Sequence, residues 1–460
     1  MKRMLPMPWV VRRRSNQIRA SMIAALLLAA GLTTAHAFLS DTGVHAPPVG
    51  GTFDYNSFGP GAGGFPAIGG SYLDPVFNER IRRLTNIYPA QNNEDIYGHH
   101  WSNANGTMTF SRVGNTVRIL NTTTGAVIDS DTPCGNPCFE MNWHPTDPNL
   151  YYYLNGSNLM ERSVSARTAT SIHTFPATLE GMGGSLNWID ATGDLFVVTY
   201  NGTAHLWKRS INVVYSGVVV PANPDGWTTI TPDGKYLVTA AGPGNSHLSY
   251  AINHVNRSIS GTGVNFWTQC GDHGAVVSAS NGKNYFVTYD CNTQPGLYRV
   301  DITLNQAGRS EAQQIADNVR LVPLEWNTTN DGHISGGCIG ANKDWVVADL
   351  EAVGVDQFGG SLPSPWAVYR GEIIAMNVMT LEVRRLAHHR SRIPPSVGAA
   401  YYAQPRISTS WDCSMLTWTS NYNRNPTVGY ADLYGMNFIG GGSGGNATTP
   451  PPSPTNLSVN

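Results

Sequence analysis

Histidine, tryptophan, aspartate and arginine recur just before a polar turn at seven places in this sequence. The seven stretches are Tyr97-Gly-His-His-Trp101, Asn142-Trp-His144, Asn187-Trp188, Asp225-Gly-Trp227, Asp272-His273, Asp331-Gly-His333 and Gln404-Pro-Arg406. An imidazole can move a proton or ligate a metal, a guanidinium can pair with a carboxylate, and an indole can stack on a sugar ring. A site that gathered these groups would suit a sugar-like ligand.

The turns that follow these stretches belong to a repeated pattern. Its clearest copies are Ile230-Thr-Pro-Asp-Gly-Lys-Tyr-Leu-Val238 and Ile407-Ser-Thr-Ser-Trp-Asp-Cys-Ser-Met-Leu-Thr-Trp418, in each of which a polar turn leads into an apolar strand. Most copies start roughly 40 to 45 residues apart, the period of a four-stranded propeller blade. The sequence therefore predicts an all-β chain that forms a seven-bladed β-propeller over residues 73–439.

The predicted fold places the seven stretches together. Each would begin the innermost strand of its blade, near the mouth of the central channel. The candidate ligand-binding residues are His99, His100, Trp143, His144, Trp188, Trp227 and Gln404. His273 and His333 stand at the same level in the two remaining stretches, and Arg406 follows Gln404 in the last one. A purely structural role, in which these side chains fix the blades together or fill the channel, remains open beside the ligand site.

An internal match indicates how the ring closes. Arg80-Ile-Arg-Arg-Leu-Thr-Asn86 matches Glu382-Val-Arg-Arg-Leu-Ala-His388, which follows an inner strand and should be an outermost strand. The first copy stands before any complete blade. We predict that it supplies the outer strand of the last blade, which leaves no large unpaired sheet edge. The run His388-His-Arg390 is expected on the periphery.

The six cysteines are an even number. Three local disulfides are predicted, joining Cys134 to Cys138, Cys270 to Cys291 and Cys338 to Cys413, the last between adjacent blades. A metal site on Cys134 and Cys138 is the alternative, but zinc motifs usually need a second Cys/His pair.

The two ends of the chain differ from its middle. Residues 1–37 have a basic stretch, a short apolar run and Ala35-His36-Ala37, which predict a signal peptide cleaved after Ala37. An uncleaved anchor is the alternative. Residues 38–72 form a Gly/Pro-rich leader and residues 440–460 a Gly/Ser/Pro-rich linker or tail. We expect a secreted, periplasmic or cell-surface protein without a membrane span after cleavage.

Composition narrows the function classes. A formal net charge of −2 argues against a general nucleic-acid binder. Sequence patterns for a nucleophile elbow, a phosphate-binding loop or a helical zinc site are missing from the chain.

Two resemblances add expectations. The turns resemble those of TolB-like and WD40-like secreted propellers, which implies the fold and no particular activity. The positions of His273, His333 and Gln404 in successive blades are similar to those of oligogalacturonate lyases, which hold manganese on histidines and a glutamine. This second resemblance implies a divalent metal, manganese or calcium, on these three residues, and, in a lyase, the role of base for His273 or His333. Arg406 is a third catalytic candidate, because its guanidinium could bind a carboxylate directly. The sequence departs from that family after Gln404, because Gln404-Pro-Arg-Ile-Ser-Thr409 lacks the two histidines that follow the glutamine there.

Three functions follow as hypotheses. The first is binding of a glycan or acidic polysaccharide at the channel mouth. The second is a polysaccharide lyase acting on uronates by β-elimination, with a histidine as base and Arg406 beside the carboxylate. The third is a scaffold for a cell-surface partner.

Overall fold

The computed structural model describes residues 41–46, 66–87, 98–113, 116–131, 141–180, 187–219, 227–240, 246–269, 271, 273–290, 292–325, 332–351, 366–391, 404–422 and 431–438. By its internal contacts the chain divides into Met1–Leu39 and Ser40–Asn460, and the described residues all belong to the second unit. In this described part, no helix has the length and apolar character that crossing a membrane requires.

Strands dominate the described residues. In chain order they are β1 (Ser71–Leu73), β2 (Arg80–Arg83), β3 (Met108–Val113), β4 (Thr116–Asn121), β5 (Val127–Asp131), β6 (Met141–Trp143), β7 (Leu150–Asn155), β8 (Asn158–Ser163), β9 (Thr168–Thr174), β10 (Leu195–Tyr200), β11 (Thr203–Lys208), β12 (Val213–Val214), β13 (Trp227–Ile230), β14 (Tyr236–Ala240), β15 (His247–Asn253), β16 (Ser258–Ile259), β17 (Val264–Trp267), β18 (Gly274–Ser278), β19 (Asn284–Asp290), β20 (Gly296–Asp301), β21 (Val319–Pro323), β22 (Ile334–Ser335), β23 (Trp345–Asp349), β24 (Glu372–Asn377), β25 (Val383–His388), β26 (Ser408–Thr409), β27 (Met415–Ser420) and β28 (Asp432–Asn437). The helical segments are α1 (Glu311–Asp317) and two 3-10 turns, Arg209–Ile211 and Gly340–Asn342.

The strands form seven antiparallel sheets, which confirms the seven-bladed β-propeller. Blades 1 to 6 contain β3–β5, β6–β9, β10–β12, β13–β17, β18–β21 and β22–β25, and blade 7 contains β26–β28 with β2 and β1. In blades 1 and 3 the innermost strand is reduced to isolated bridges, Ser102 with Thr109 and Ile189 with Phe196.

Burial follows the distance from the ring axis. β10, β19 and β27, which lie one place out from the innermost position, are buried along their whole length because a neighbouring blade covers each face. The outermost strand β9 is mostly exposed and polar. The apolar core therefore lies between the blades, where β-branched and aromatic side chains pack well.

The ring closes as the internal match predicts. β2 pairs with β28, with Arg82 opposite Gly435 and Arg83 opposite Tyr434. The guanidinium of Arg83 also contacts the carboxylate of Asp432 at 2.5 Å, and both side chains are buried. β1 adds a fifth strand and lies across the expected boundary between leader and propeller at residue 72.

The expectation that the His388-His-Arg390 run lies exposed on the periphery is wrong. His388 and His389 are buried. Residues 41–46 of the predicted leader lie against this part of blade 6, where His388 Nε2 is 2.8 Å from the carbonyl oxygen of His45. The backbone N–H of His388 donates to Asp74. A segment from the N-terminal side of the chain therefore covers β25.

One predicted disulfide is confirmed. Cys338 and Cys413 are bonded, with Cα atoms 5.6 Å apart, and they join blade 6 to blade 7. The pairs Cys134–Cys138 and Cys270–Cys291 lie outside the described residues.

Removing this disulfide with the double substitution Cys338→Ala and Cys413→Ala should lower the free energy of unfolding by roughly 2–4 kcal/mol, because the bridge closes a long loop in the unfolded chain. The sequence separation is 75 residues. Urea denaturation measures the change. If the variant and the wild-type protein unfold at the same urea concentration, the bridge does not contribute to stability.

Candidate ligand site at the channel mouth

The structure brings His273 and His333 together. His273 precedes β18 and His333 precedes β22, so each residue stands at the start of the innermost strand of its blade. Their rings stack with centroids 4.4 Å apart and planes at 27°. The two predicted catalytic histidines are thus direct neighbours across adjacent blades.

Arg406 and His99 lie close to this pair. Arg406 stands two residues before β26 in blade 7, and His99 stands at the same level in blade 1. Both Arg406 and His99 are near enough to His333 to lower the pKa of its imidazole. Four consecutive blades around the ring, 5, 6, 7 and 1, each contribute one of these side chains.

Arg406 also has an unusual backbone. Its φ is +44°, in the left-handed region, and its side chain is buried. A residue other than glycine pays a conformational cost there, and such strain is concentrated at functional sites.

Burial sets the protonation state of His99 and His333. Burial lowers the pKa of His99 to about 4. It also lowers the pKa of His333 well below its usual value, as do the neighbouring His273 and Arg406. Both imidazoles are therefore neutral at pH 7. His273 Nδ1 lies 3.0 Å from the carbonyl oxygen of Gly332, which can only accept, so in the neutral ring Nδ1 carries the proton and Nε2 keeps its lone pair.

Two acidic residues that the sequence analysis missed complete the cluster. Glu351 Oε1 lies 3.4 Å from His333 Nδ1, and Asp349 Oδ1 lies 3.9 Å from it. The sequence signal for these two residues is the acidic pair in Asp349-Leu-Glu351, at the end of β23. The antiparallel register pairs Ala348 with Ile334, and it therefore places the acidic pair beside His333.

Asp349 has a structural role as well. One carboxylate oxygen accepts the backbone N–H of His333 at 2.8 Å, and the other accepts that of Ile407 at 2.6 Å. The side chain therefore ties together the starts of the innermost strands in blades 6 and 7. These two hydrogen bonds fix the position of His333 relative to the segment that contains Arg406.

The predicted metal ligands do not fit a shared ion. An ion bound by two imidazoles lies in the plane of both rings, about 2 Å from each nitrogen. The stacked rings of His273 and His333 have centroids 4.4 Å apart and planes at only 27°, so one ion cannot lie in both ring planes at bonding distance. For Gln404 the structure gives a backbone contact, in which its carbonyl oxygen accepts the hydroxyl of Thr419 at 2.9 Å.

A second set of metal-type ligands is present among the described residues. Ligand atoms of His333, Asp349 and Glu351 lie within 4.8 Å of one another. Both oxygens of Asp349 already accept backbone N–H groups, and the guanidinium of Arg406 adds a positive charge nearby. These surroundings do not suit a metal ion.

The predicted tryptophans lie elsewhere. Trp143, Trp188 and Trp227 are 0%, 1% and 5% exposed and belong to the core between blades. Trp143 stacks on Phe110 at 4.6 Å, for example. Stacking on a sugar needs an open ring face, so the prediction that these three rings form an aromatic platform is wrong.

The remaining candidates have local roles. His100 is buried and stacks on Trp411 at 3.9 Å. His144 Nδ1 accepts the backbone N–H groups of Thr146 and Asp147 at 3.1 and 3.0 Å, which caps the turn after β6. Asp225, Asp272 and Asp331 lie outside the described residues.

Comparison with solved structures agrees with this architecture. The fold resembles that of oligogalacturonate lyases. The enzyme from Vibrio parahaemolyticus matches with a TM-score of 0.52 at 11% identity, over 80% of this chain and 96% of that one. An oligogalacturonate lyase in complex with manganese matches with a TM-score of 0.53 at 14% identity, over the same shares. No family model and no curated protein matches the sequence. At these identities the likeness concerns the fold.

Proposed function

We propose that the channel mouth binds an acidic glycan through its uronate groups. The observation that carries this proposal is the convergence of Arg406 with His273 and His333 on three consecutive blades. Arg406 pairs with the ligand carboxylate, as a planar guanidinium does well. The imidazoles of His273 and His333 and the side chain of Glu351 exchange hydrogen bonds with the sugar hydroxyls.

A uronate lyase is the second candidate. It is favoured by the tautomer of His273, whose Nε2 is the nitrogen able to accept a proton. In this mechanism an imidazole takes the proton next to the uronate carboxylate, and Arg406 stabilises the enolate that forms. The bond to the β-oxygen then breaks, a carbon–carbon double bond forms, and the leaving sugar takes up a proton. The oligogalacturonate lyases of similar fold support this candidate.

Export is part of the proposal. Cleavage after Ala37 would release the mature chain outside the cytoplasm or at the cell surface, and the Cys338–Cys413 bridge suits an oxidising compartment. Determining the N-terminal sequence of protein recovered from culture medium and periplasm tests this. A start at Met1 would contradict it.

Replacing Arg406 with glutamine should weaken binding of an acidic oligosaccharide about 10- to 150-fold, the scale of about 1.5–3 kcal/mol for a charged hydrogen bond. Binding of a neutral oligosaccharide should change little. Isothermal titration calorimetry measures both. Arg257→Gln is the matched control, because Arg257 is an exposed arginine that also has a positive φ, +52°, in blade 4.

Ultraviolet absorbance of the unsaturated product separates the two candidates. Binding without new absorbance supports a binding protein, whereas absorbance that His273→Gln and His333→Gln abolish supports a lyase. If no glycan binds, the site proposal fails and the scaffold for a cell-surface partner becomes the better account.

A further inference from the structure

Residues 41–46 are held against β25, the outermost strand of blade 6, by their backbone. The carbonyl oxygens of the first and third residues of this segment accept Arg385 Nη1 at 2.9 and 2.6 Å. The carbonyl oxygen of the fifth residue, His45, lies 2.8 Å from His388 Nε2, which donates because a carbonyl oxygen can only accept. Two side chains of β25 therefore bind three carbonyl groups of the segment, one from every second residue.

The segment is ordered by its own side chains as well. Asp41 Oδ1 accepts the backbone N–H of Gly43 at 2.8 Å, and the other carboxylate oxygen contacts His45 Nε2. This is the local turn that an aspartate side chain forms with the backbone two residues on. The side chains of Thr42 and Val44 are exposed, that of Val44 to 53%. The pattern Asp-x-Gly-x-His therefore sets the shape of the segment, and the residues between contribute little to it.

The two donors on β25 are held in place by carboxylates of the blades. Arg385 Nε donates to Glu372 at 2.7 Å, and both side chains are buried. The backbone N–H of His388 donates to Asp74 at 3.0 Å, and His388 Nδ1 lies 3.5 Å from the same carboxylate oxygen. Because Glu372 belongs to blade 6 and Asp74 follows β1 of blade 7, these partners orient the donors independently of the segment.

An aromatic ring completes the surface that the segment contacts. Phe77 lies in the turn between β1 and β2, with its ring centroid 5.0 Å from that of His388. The guanidinium carbon of Arg385 is 5.3 Å from the Phe77 ring centroid. The ring of His45 meets Phe77 edge-on at 5.8 Å. Side chains from blades 6 and 7 thus form one surface, which contacts the backbone of the segment and one of its rings.

We propose that Phe77, Arg385 and His388 form a peptide-docking site for the pattern Asp-x-Gly-x-His, and that residues 41–46 are an occupant which the same segment of a second copy can replace. Every contact described above is non-covalent, so docking depends on the segment and not on its link to the blade. The site lies on an outermost strand and is independent of the proposed glycan site at the innermost strands.

Cutting the chain after it has folded tests whether the occupant can be exchanged. A protease recognition sequence inserted between Gly50 and Gly51 lets the full chain fold first and frees the segment for removal by dialysis. A fluorescein-labelled peptide of residues 40–47 should then bind the cut protein, as measured by fluorescence anisotropy. The uncut protein should bind this peptide roughly tenfold more weakly or less, because its own tethered segment competes at a high effective concentration.

Replacing Arg385 tests the recognition of the backbone. Arg385→Gln should weaken binding of the labelled peptide to the cut protein by roughly tenfold or more, because it removes two charge-assisted hydrogen bonds to carbonyl oxygens. Arg320→Gln is the control, since Arg320 is an exposed arginine on β21, the outermost strand of blade 5. It should leave the affinity for the peptide unchanged.

Changes in the peptide test the pattern without altering the protein. The Asp41→Ala peptide should bind roughly fivefold more weakly, because it loses the hydrogen bond that orders the turn. The Val44→Ala peptide should bind as tightly as the original, because this side chain is exposed. These two peptides decide the question if Arg385→Gln does not fold.

Three results would overturn the proposal: no binding to the cut protein after its fragment has left, equal binding to cut and uncut protein, and equal affinity for the original and Asp41→Ala peptides. A fragment that stays bound through dialysis supports the docking site, because only non-covalent contacts then hold it.

Discussion

Replacing Asp432 with alanine should lower the free energy of unfolding by about 3–5 kcal/mol, because it leaves the buried guanidinium of Arg83 without its charge partner. The carboxylate of Asp432 accepts Arg83 Nε at 3.0 Å, and it also accepts the backbone N–H of Ile87 at 2.8 Å. These bonds hold the N-terminal β2 segment to β28. The substitution therefore weakens the seam at which the ring closes, and chemical denaturation measures the loss.

Lys283→Ala is the control for that experiment. Lys283 contacts Asp301 at 2.9 Å, but its side chain is 61% exposed, and such pairs contribute little. If Asp432→Ala destabilises the protein no more than Lys283→Ala does, closure by the N-terminal strand does not depend on this buried pair.

Acidification should destabilise the protein steeply below pH 6.5. Burial lowers the pKa of His99 to about 4 and that of His389 to about 3, whereas both titrate near 6.5 when unfolded. The unfolded chain therefore binds more protons, so stability is fully present above about pH 6.5 and falls as the pH drops toward 4 and 3. Each histidine contributes roughly 1 kcal/mol per pH unit within its window.

His389→Gln isolates one contribution to this effect. It removes a buried titrating group that contacts the backbone oxygen of Leu350, and the stability difference between pH 6.5 and pH 4.5 should shrink by roughly 2–3 kcal/mol. Urea denaturation at several pH values gives that difference. An identical pH dependence in the variant and the wild-type protein would show that His389 is not held neutral by burial.

The fold could be predicted because its signals are local and repeated. The turn pattern predicts the blade period. The match between residues 80–86 and 382–388 predicts the closing strand, since β2 and β25 are each the fourth strand from the axis in their blades. The burial of His388 and His389 could not be predicted in this way. Their burial depends on residues 41–46, which lie against β25. These two segments are far apart in the sequence, and no sequence pattern indicates that they pack together.

The site was predictable only in part. His273, His333 and Arg406 could be found because each stands before its turn at the same level of a blade. Asp349 and Glu351 lie at the end of the next strand, β23. They could not be predicted because the pairing register of β22 and β23, which brings them beside His333, cannot be read from the sequence. The tryptophans share the level of the histidines, but large apolar rings gain more from packing between blades than from exposure at a channel.

A crystal structure of the protein with a short uronate oligosaccharide tests the central claim most directly. We expect a ligand carboxylate within hydrogen-bond distance of the Arg406 guanidinium, with the sugar ring beside His273 and His333. A ligand bound at another surface, or a mouth closed by protein side chains at saturating ligand, would contradict the account.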